Sequence, residues 1–386
     1  MRASRPARLL SALLAWGLLL VLLVPVVSPA AGQGLLPGLF PPAQTTTSSD
    51  PTTTAPTPTP TPTPAPAPAD PSSPTNQPCF GAASVDPNRP CDNPGLALSV
   101  YPAPANARAA QRSERCQYRE SAAAGLLDVC FFGAPPENAT RTVALLGDSH
   151  AAHWRSALDA VLAAHRWRAI SIQRAGCPLT LAHPNLPGED RQKGCMDWNR
   201  AVQAWMAAHP EIDVVFTSQH RGTVIPPEDQ APGVARRAGY VAAWLGLLGR
   251  NVRHIVVIRD TPRIAGTTLP CVEQAVAARR PPGPACALKS SFALRSDPAV
   301  DAAKEFASPQ VQVADLATFF CRRRMCPPVT GGALVLRDVS HMTTAYSRTL
   351  GPYLLQRVDV LMRSWGADAS PPAPSVAPAA RRAGAQ

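Results

Sequence analysis

Between residues 141 and 365, short apolar runs alternate with longer amphipathic ones. "TVALLG", "RAISIQ", "IDVVFTS", "VRHIVVI" and the shorter "VQVADL" are continuous enough in Val, Ile and Leu to predict strands. Between them, "AHWRSALDAVLAAH", "WNRAVQAWMAAH" and "ARRAGYVAAWLGLLG" predict helices, the first with Leu158, Val161 and Leu162 on one face. The closing run "TTAYSRTLGPYLLQRVDVLMRSW" sets Tyr346, Leu350, Leu354 and Val358 at four-residue spacing, which predicts a long helix with one buried stripe. Strands alternating with helices give βαβ units, so the expected fold class is α/β, with a parallel sheet of about five strands covered on both faces. Ligands of such sheets bind at the carboxyl ends of the strands.

The flanks differ from this core. Arg2, Arg5 and Arg8 precede the apolar run "LLSALLAWGLLLVLLVPVV", and small residues follow it, so residues 1–31 read as an export signal or an uncleaved membrane anchor. Residues 32–78 form a Pro/Thr-rich linker that favours extended polyproline II, able to reach on the order of 100 Å from a membrane. Residues 79–140 carry cysteines and few periodic signals and are expected to be a disulfide-tied extension packed on a main domain at 141–366. Residues 367–386 read as a disordered tail.

Composition narrows the compartment and the partners. The ten cysteines of this 386-residue chain fit an oxidising compartment. Taken in chain order they pair as Cys79–Cys91, Cys116–Cys130, Cys177–Cys195, Cys271–Cys286 and Cys321–Cys326, although spacing alone does not fix connectivity. A formal charge of +11, behind an export signal, points away from nucleic acid and towards an acidic envelope polymer or an anionic membrane surface. Only "CRRRMC" approaches a zinc spacing, and no metal or other cofactor is expected.

The chemistry concentrates in two stretches. In "ALLGDSHAAHW", Ser149 lies where a strand turns into a helix, a placement that exposes a nucleophilic oxygen beside unpaired backbone N–H groups. Gly147 suits the tight turn and Asp148 suits a cap or brace, although the same residues also serve ordinary helix starts. In "RDVSHMTTAYSRTL", Asp338 and His341 are three residues apart, close enough for the carboxylate to orient the imidazole as a base. His150 and His153 are three apart as well, but no third ligand stands nearby in sequence, so they read as surface or rim histidines. Asp260 in "IRDTP" reads as a turn residue, and Trp154 and Trp198 as core rather than as sugar-stacking rings.

Together, "ALLGDSH" and "DVSHMT", with "QRAGCPL", "CMDW", "VVIRDTP" and "FFCRRRMCP" between them, resemble the SGNH (GDSL-like) hydrolase superfamily. Within it the chain is most similar to the SGNH domain attached to membrane acyltransferase family 3 proteins, which O-acetylate envelope polysaccharides. The resemblance implies a three-layer α/β/α fold, with Ser149 as nucleophile, His341 as base and Asp338 as its orienter. It also implies an oxyanion hole made by the backbone amides of Ser149 and Gly176. The family's usual Asn after the third strand is missing from "FTSQHRG", which leaves Ser218, Gln219 or Arg221 as the further donor. The implied function is an exported acyl transfer enzyme, O-acetyltransferase or acetylesterase, acting on an envelope glycan through an acyl-serine, with a separate membrane acyltransferase as a partner. The alternative is a non-catalytic SGNH-like module that binds wall polymer.

Overall fold

The computed structural model describes residues 73–108 and 116–365, so the signal or anchor, most of the linker and the tail lie outside the described residues. The central sheet has seven strands: β1 (Tyr118–Ala122), β2 (Leu127–Gly133), β3 (Arg141–Gly147), β4 (Trp167–Gln173), β5 (Ile212–Ser218), β6 (His254–Ile258) and β7 (Val311–Ala314). Their order across the sheet is β1-β2-β4-β3-β5-β6-β7. β4, β3, β5, β6 and β7 run parallel, and these five are the strands that the apolar runs predict.

The sheet extends beyond the five expected parallel strands at one edge, where β1 pairs with β2 and β2 with β4, both antiparallel. These two strands come from the cysteine-bearing segment, so that part of it joins the sheet rather than packing on it. The sequence hid them for a physical reason. β1 is an edge strand whose side chains are exposed or half-buried, so no run of apolar residues marks it. The Cys116–Cys130 disulfide ties the segment preceding β1 to β2.

Alternate side chains of each parallel strand face opposite helical layers. Val143, Leu145, Val214, Phe216, Val256 and Ile258 pack with helices α2 (Arg155–His165) and α7 (Thr344–Ser364). Ala144, Leu146, Val215, Ile255 and Val257 pack with α3 (Glu189–Ala207), α4 (Pro232–Leu248) and α6 (Pro298–Phe306). That is a three-layer α/β/α sandwich. In α7 the predicted stripe of Tyr346, Leu350, Leu354 and Val358 is fully buried. Thr343 caps this helix by accepting the Tyr346 N–H. α6, and α5 (Thr268–Ala277), stand in the Pro-rich and Ala-rich stretch where periodicity predicts no element.

All five disulfides join the cysteines that are neighbours in the chain. They fit an extracytoplasmic compartment, since such bonds persist where the surroundings are oxidising. Among the described residues no helix is long and apolar enough to cross a membrane.

Candidate active site

β3 ends at Gly147, and the chain turns at once into the one-turn helix α1 (Ser149–Ala152). Gly147 has φ +145, and a Cβ there would lie 2.3 Å from the Ser218 carbonyl oxygen of neighbouring β5, so only glycine fits between the two strands. Asp148 is the N-cap. Its carboxylate accepts the N–H of His150 at 2.8 Å and that of His220 at 2.9 Å, tying the Ser149 turn to the loop after β5. Burial pushes the Asp148 carboxyl up to about 6, against the pull of His150.

A second loop reaches Ser149 from almost two hundred residues away. Arg337 N–H donates to the His341 carbonyl and Thr343 N–H to the Val335 carbonyl, which closes a tight loop ahead of α7. At its tip His341 Nε2 is 2.9 Å from Ser149 Oγ. His341 Nδ1 lies 3.0 Å from each oxygen of Asp338. Asp338 Oδ1 also accepts the N–H groups of Ser340 and His341. Burial works to raise the Asp338 carboxyl, but the His341 ring and these two N–H groups outweigh it and hold the group well below the ordinary carboxylate range. The carboxylate fixes the tautomer: with Nδ1–H donating to Asp338, Nε2 keeps its lone pair for the Ser149 hydroxyl.

His150 and His153 are not surface residues. They are 2% and 6% exposed, because the sheet edge and the His341 loop close over them. The His150 ring packs 4.8 Å from His153, 4.8 Å from His220 and 5.0 Å from His341. His150 Nδ1 is 2.5 Å from Asp260 Oδ1. Burial opposes the imidazolium, yet Asp260, with Asp148 and Asp338 behind it, raises the His150 pKa. His153 behaves in the opposite way: burial, then His150, His341 and Arg337, pull its pKa well down. Its Nδ1 accepts the Met342 N–H at 3.0 Å, and its carbonyl accepts the Ser347 hydroxyl, so it links α1 to the His341 loop and to α7.

The fold thus supplies the third neighbour that the sequence lacked for His150 and His153, since Asp260 brings their ligand atoms within 4.8 Å of one another. The His150–Asp260 hydrogen bond already uses one atom of each, which suits an orienting pair better than a metal cage.

The candidate oxyanion donors are distributed as follows. Ser149 N–H and Gly176 N–H have no hydrogen-bond partner among the described residues, and Gly176 takes φ +70 in the turn after β4. Gln219 is 2% exposed; its Oε1 accepts the Leu179 N–H at 3.3 Å, and its buried Nε2 has no partner. Ser218 Oγ is likewise buried and unpartnered. Arg221 holds its Nε 3.8 Å from Asp260 Oδ2. The Cys177–Cys195 disulfide follows Gly176 directly and pins its turn to α3. Trp154 and Trp198 are fully buried and belong to the core.

The family model described as the SGNH domain fused to AT3 domains matches residues 115–356, well over half of the chain. The chain belongs to this SGNH family. Membership makes it a domain of the acyl-transfer or hydrolase type. A solved structure of a lipopolysaccharide acetyltransferase periplasmic domain from Salmonella ser. Paratyphi A is also similar, at 12% identity and a TM-score of 0.43, covering 58% of this chain and 84% of that one. Comparison with curated proteins gives no match. The family match begins at residue 115, just before β1, as expected if both antiparallel strands are part of the SGNH sheet.

Proposed function

We propose that this SGNH protein is a serine-dependent acyl transfer enzyme of the cell envelope, an O-acetyltransferase or acetylesterase acting on polysaccharide. The observation that carries the reading is the unbroken chain from Ser149 Oγ to His341 Nε2, and from His341 Nδ1 to Asp338, at 2.9 and 3.0 Å. In the reaction, Ser149 Oγ attacks the acyl carbonyl carbon while His341 Nε2 takes its proton and Asp338 balances the imidazolium. Charge on the tetrahedral oxygen is met by the two unpartnered N–H groups, of Ser149 and Gly176, with Gln219 Nε2 or Ser218 as the further donor. His341 then returns the proton to the departing alcohol oxygen, leaving an acyl-serine. A water or sugar hydroxyl gives its proton to His341 and attacks the acyl carbon, and His341 passes that proton to Ser149 Oγ as its bond to the acyl group breaks. The family's fusion to AT3 domains supports a membrane acyltransferase as supplier of the acyl group.

Labelling the full chain with a serine-reactive fluorophosphonate tests the core of this reading. The wild type is expected to label and Ser149→Ala to remain unlabelled; a folded wild type that does not label overturns it. Supplying an acetyl ester with a glycan acceptor then separates the outcomes, because a transferase acetylates the glycan and an esterase releases acetate.

A further inference from the structure

A cavity of about 410 Å³ opens beside Asp338 and His341, walled by Ile264, Leu269 and Val339 and carrying Arg108. Arg108 is exposed and makes no hydrogen bond or ion pair with any described residue. It does not stand alone. Arg337 lies within electrostatic reach of Arg108, and Arg263 within reach of Arg221 and Arg295. Arg221 and Arg263 lie just beyond the carboxyl ends of β5 and β6, and Arg337 on the loop that carries His341, so separate segments bring positive charge to the sheet edge that bears Ser149.

The acidic groups at this edge pair with two of these arginines, Asp260 with Arg221 at 3.8 Å and Asp338 with Arg337 at 3.6 Å, and leave Arg108 without a partner among the described residues. Asp148, Asp260 and Asp297 are buried, and apart from Asp260 Oδ2, which faces Arg221, their oxygens accept from backbone N–H groups and His150. Asp338 is the only carboxylate among the described residues lining the cavity, and it faces His341 and, at 3.6 Å, Arg337. The buried negative charges are therefore already engaged, while Arg108 stands exposed on the cavity wall. A concave site of this kind draws anions, and a free guanidinium matches a carboxylate or phosphate with two parallel hydrogen bonds.

We propose that the acyl-transfer substrate is an anionic glycan whose carboxylate or phosphate is bound by Arg108 while the acylated oxygen lies at Ser149. The apolar wall formed by Ile264, Leu269 and Val339 faces the sugar's C–H surface. This inference rests on the acyl-transfer reading of the adjoining Ser149, His341 and Asp338. Calorimetric titration of the full chain with oligogalacturonate, oligoglycerol phosphate and a neutral maltooligosaccharide tests it without requiring turnover. At low salt at least one charged oligomer is expected to bind about tenfold tighter than the neutral one, and Arg108→Gln to remove most of that advantage. Added salt is expected to weaken the charged oligomers alone. Which oligomer binds distinguishes a carboxylate from a phosphate. Equal affinity for charged and neutral oligomers, or a preference untouched in Arg108→Gln, overturns the proposal. Selective binding by a protein that fluorophosphonate does not label overturns acyl transfer and leaves the anion site standing.

Discussion

Replacing Asp338 by Asn tests the proposed base with little disturbance to the fold, because both backbone N–H bonds in this loop go to Oδ1, which Asn retains. What changes lies on the histidine side. Two unit charges 3.0 Å apart attract by about 5 kcal/mol at an effective dielectric near 20. The His341 and Asp338 side chains are 26% and 17% exposed, so solvent screening brings this to about 3 kcal/mol. Losing it from a transition state that contains imidazolium slows acylation by about two powers of ten. The Asn amide also offers an N–H to Nδ1, which favours the tautomer whose Nε2 carries the proton and cannot accept one from Ser149. Together these effects lower kcat/KM for a chromogenic acetyl ester by about 10²–10⁴. The assay is ester turnover at pH 7.5, run beside thermal melting of the same preparation. An Asp338→Asn protein with wild-type melting and kcat/KM within about threefold of wild type refutes the assignment of His341 as a base oriented by Asp338.

His153 should act through position rather than chemistry: His153→Leu removes the ring nitrogen that accepts the Met342 N–H, at a cost of about 1–3 kcal/mol, and lowers kcat. In His153→Asn an amide oxygen can accept that N–H, so partial recovery of melting temperature and kcat is expected; equal losses in both variants contradict this positioning role. Burial, reinforced by Arg141 and Arg253, pushes the His254 imidazole down to about 4, whereas in the unfolded chain it titrates near 6.5. The unfolded state therefore takes up the proton first, and stability is lost as pH falls from about 6.5 towards 4. His254→Phe keeps the stack on Trp365, whose ring is 4.2 Å away, and removes this linkage, so its melting temperature relative to wild type should rise between pH 7.5 and 5. A difference independent of pH counts against it. Opening the Cys177–Cys195 loop, 18 residues in separation, by replacing both with Ala should cost about 3 kcal/mol in denaturant unfolding; an unchanged midpoint with an unchanged slope contradicts this.

The five parallel strands and the long final helix could be read from the sequence because their signal is local. A strand buried on both faces must be apolar throughout, and a helix against a sheet must repeat its apolar positions about every four residues. Ser149, Asp338 and His341 could be named for a similar reason, since a turn after a strand and a three-residue Asp–His spacing are short-range patterns. Chain-order pairing of the cysteines also matched the disulfides, each of which closes a short loop. β1 escaped because an edge strand needs no apolar pattern and is defined by its partner. Asp260 escaped as the companion of His150 because the two are 110 residues apart, and only the parallel order of β3, β5 and β6 brings their carboxyl ends to one edge. His153 looked like a rim residue because a helical spacing does not reveal what covers it; the His341 loop does, and burial then makes it a fixed acceptor. Sequence alone thus determined the layered fold and named the groups proposed to react, through local periodicity and turn chemistry. Tertiary structure decided the distances between those groups, the buried histidine cluster beneath them and the exposed Arg108 beside them, because burial and charge balance depend on segments that meet only when the chain is folded.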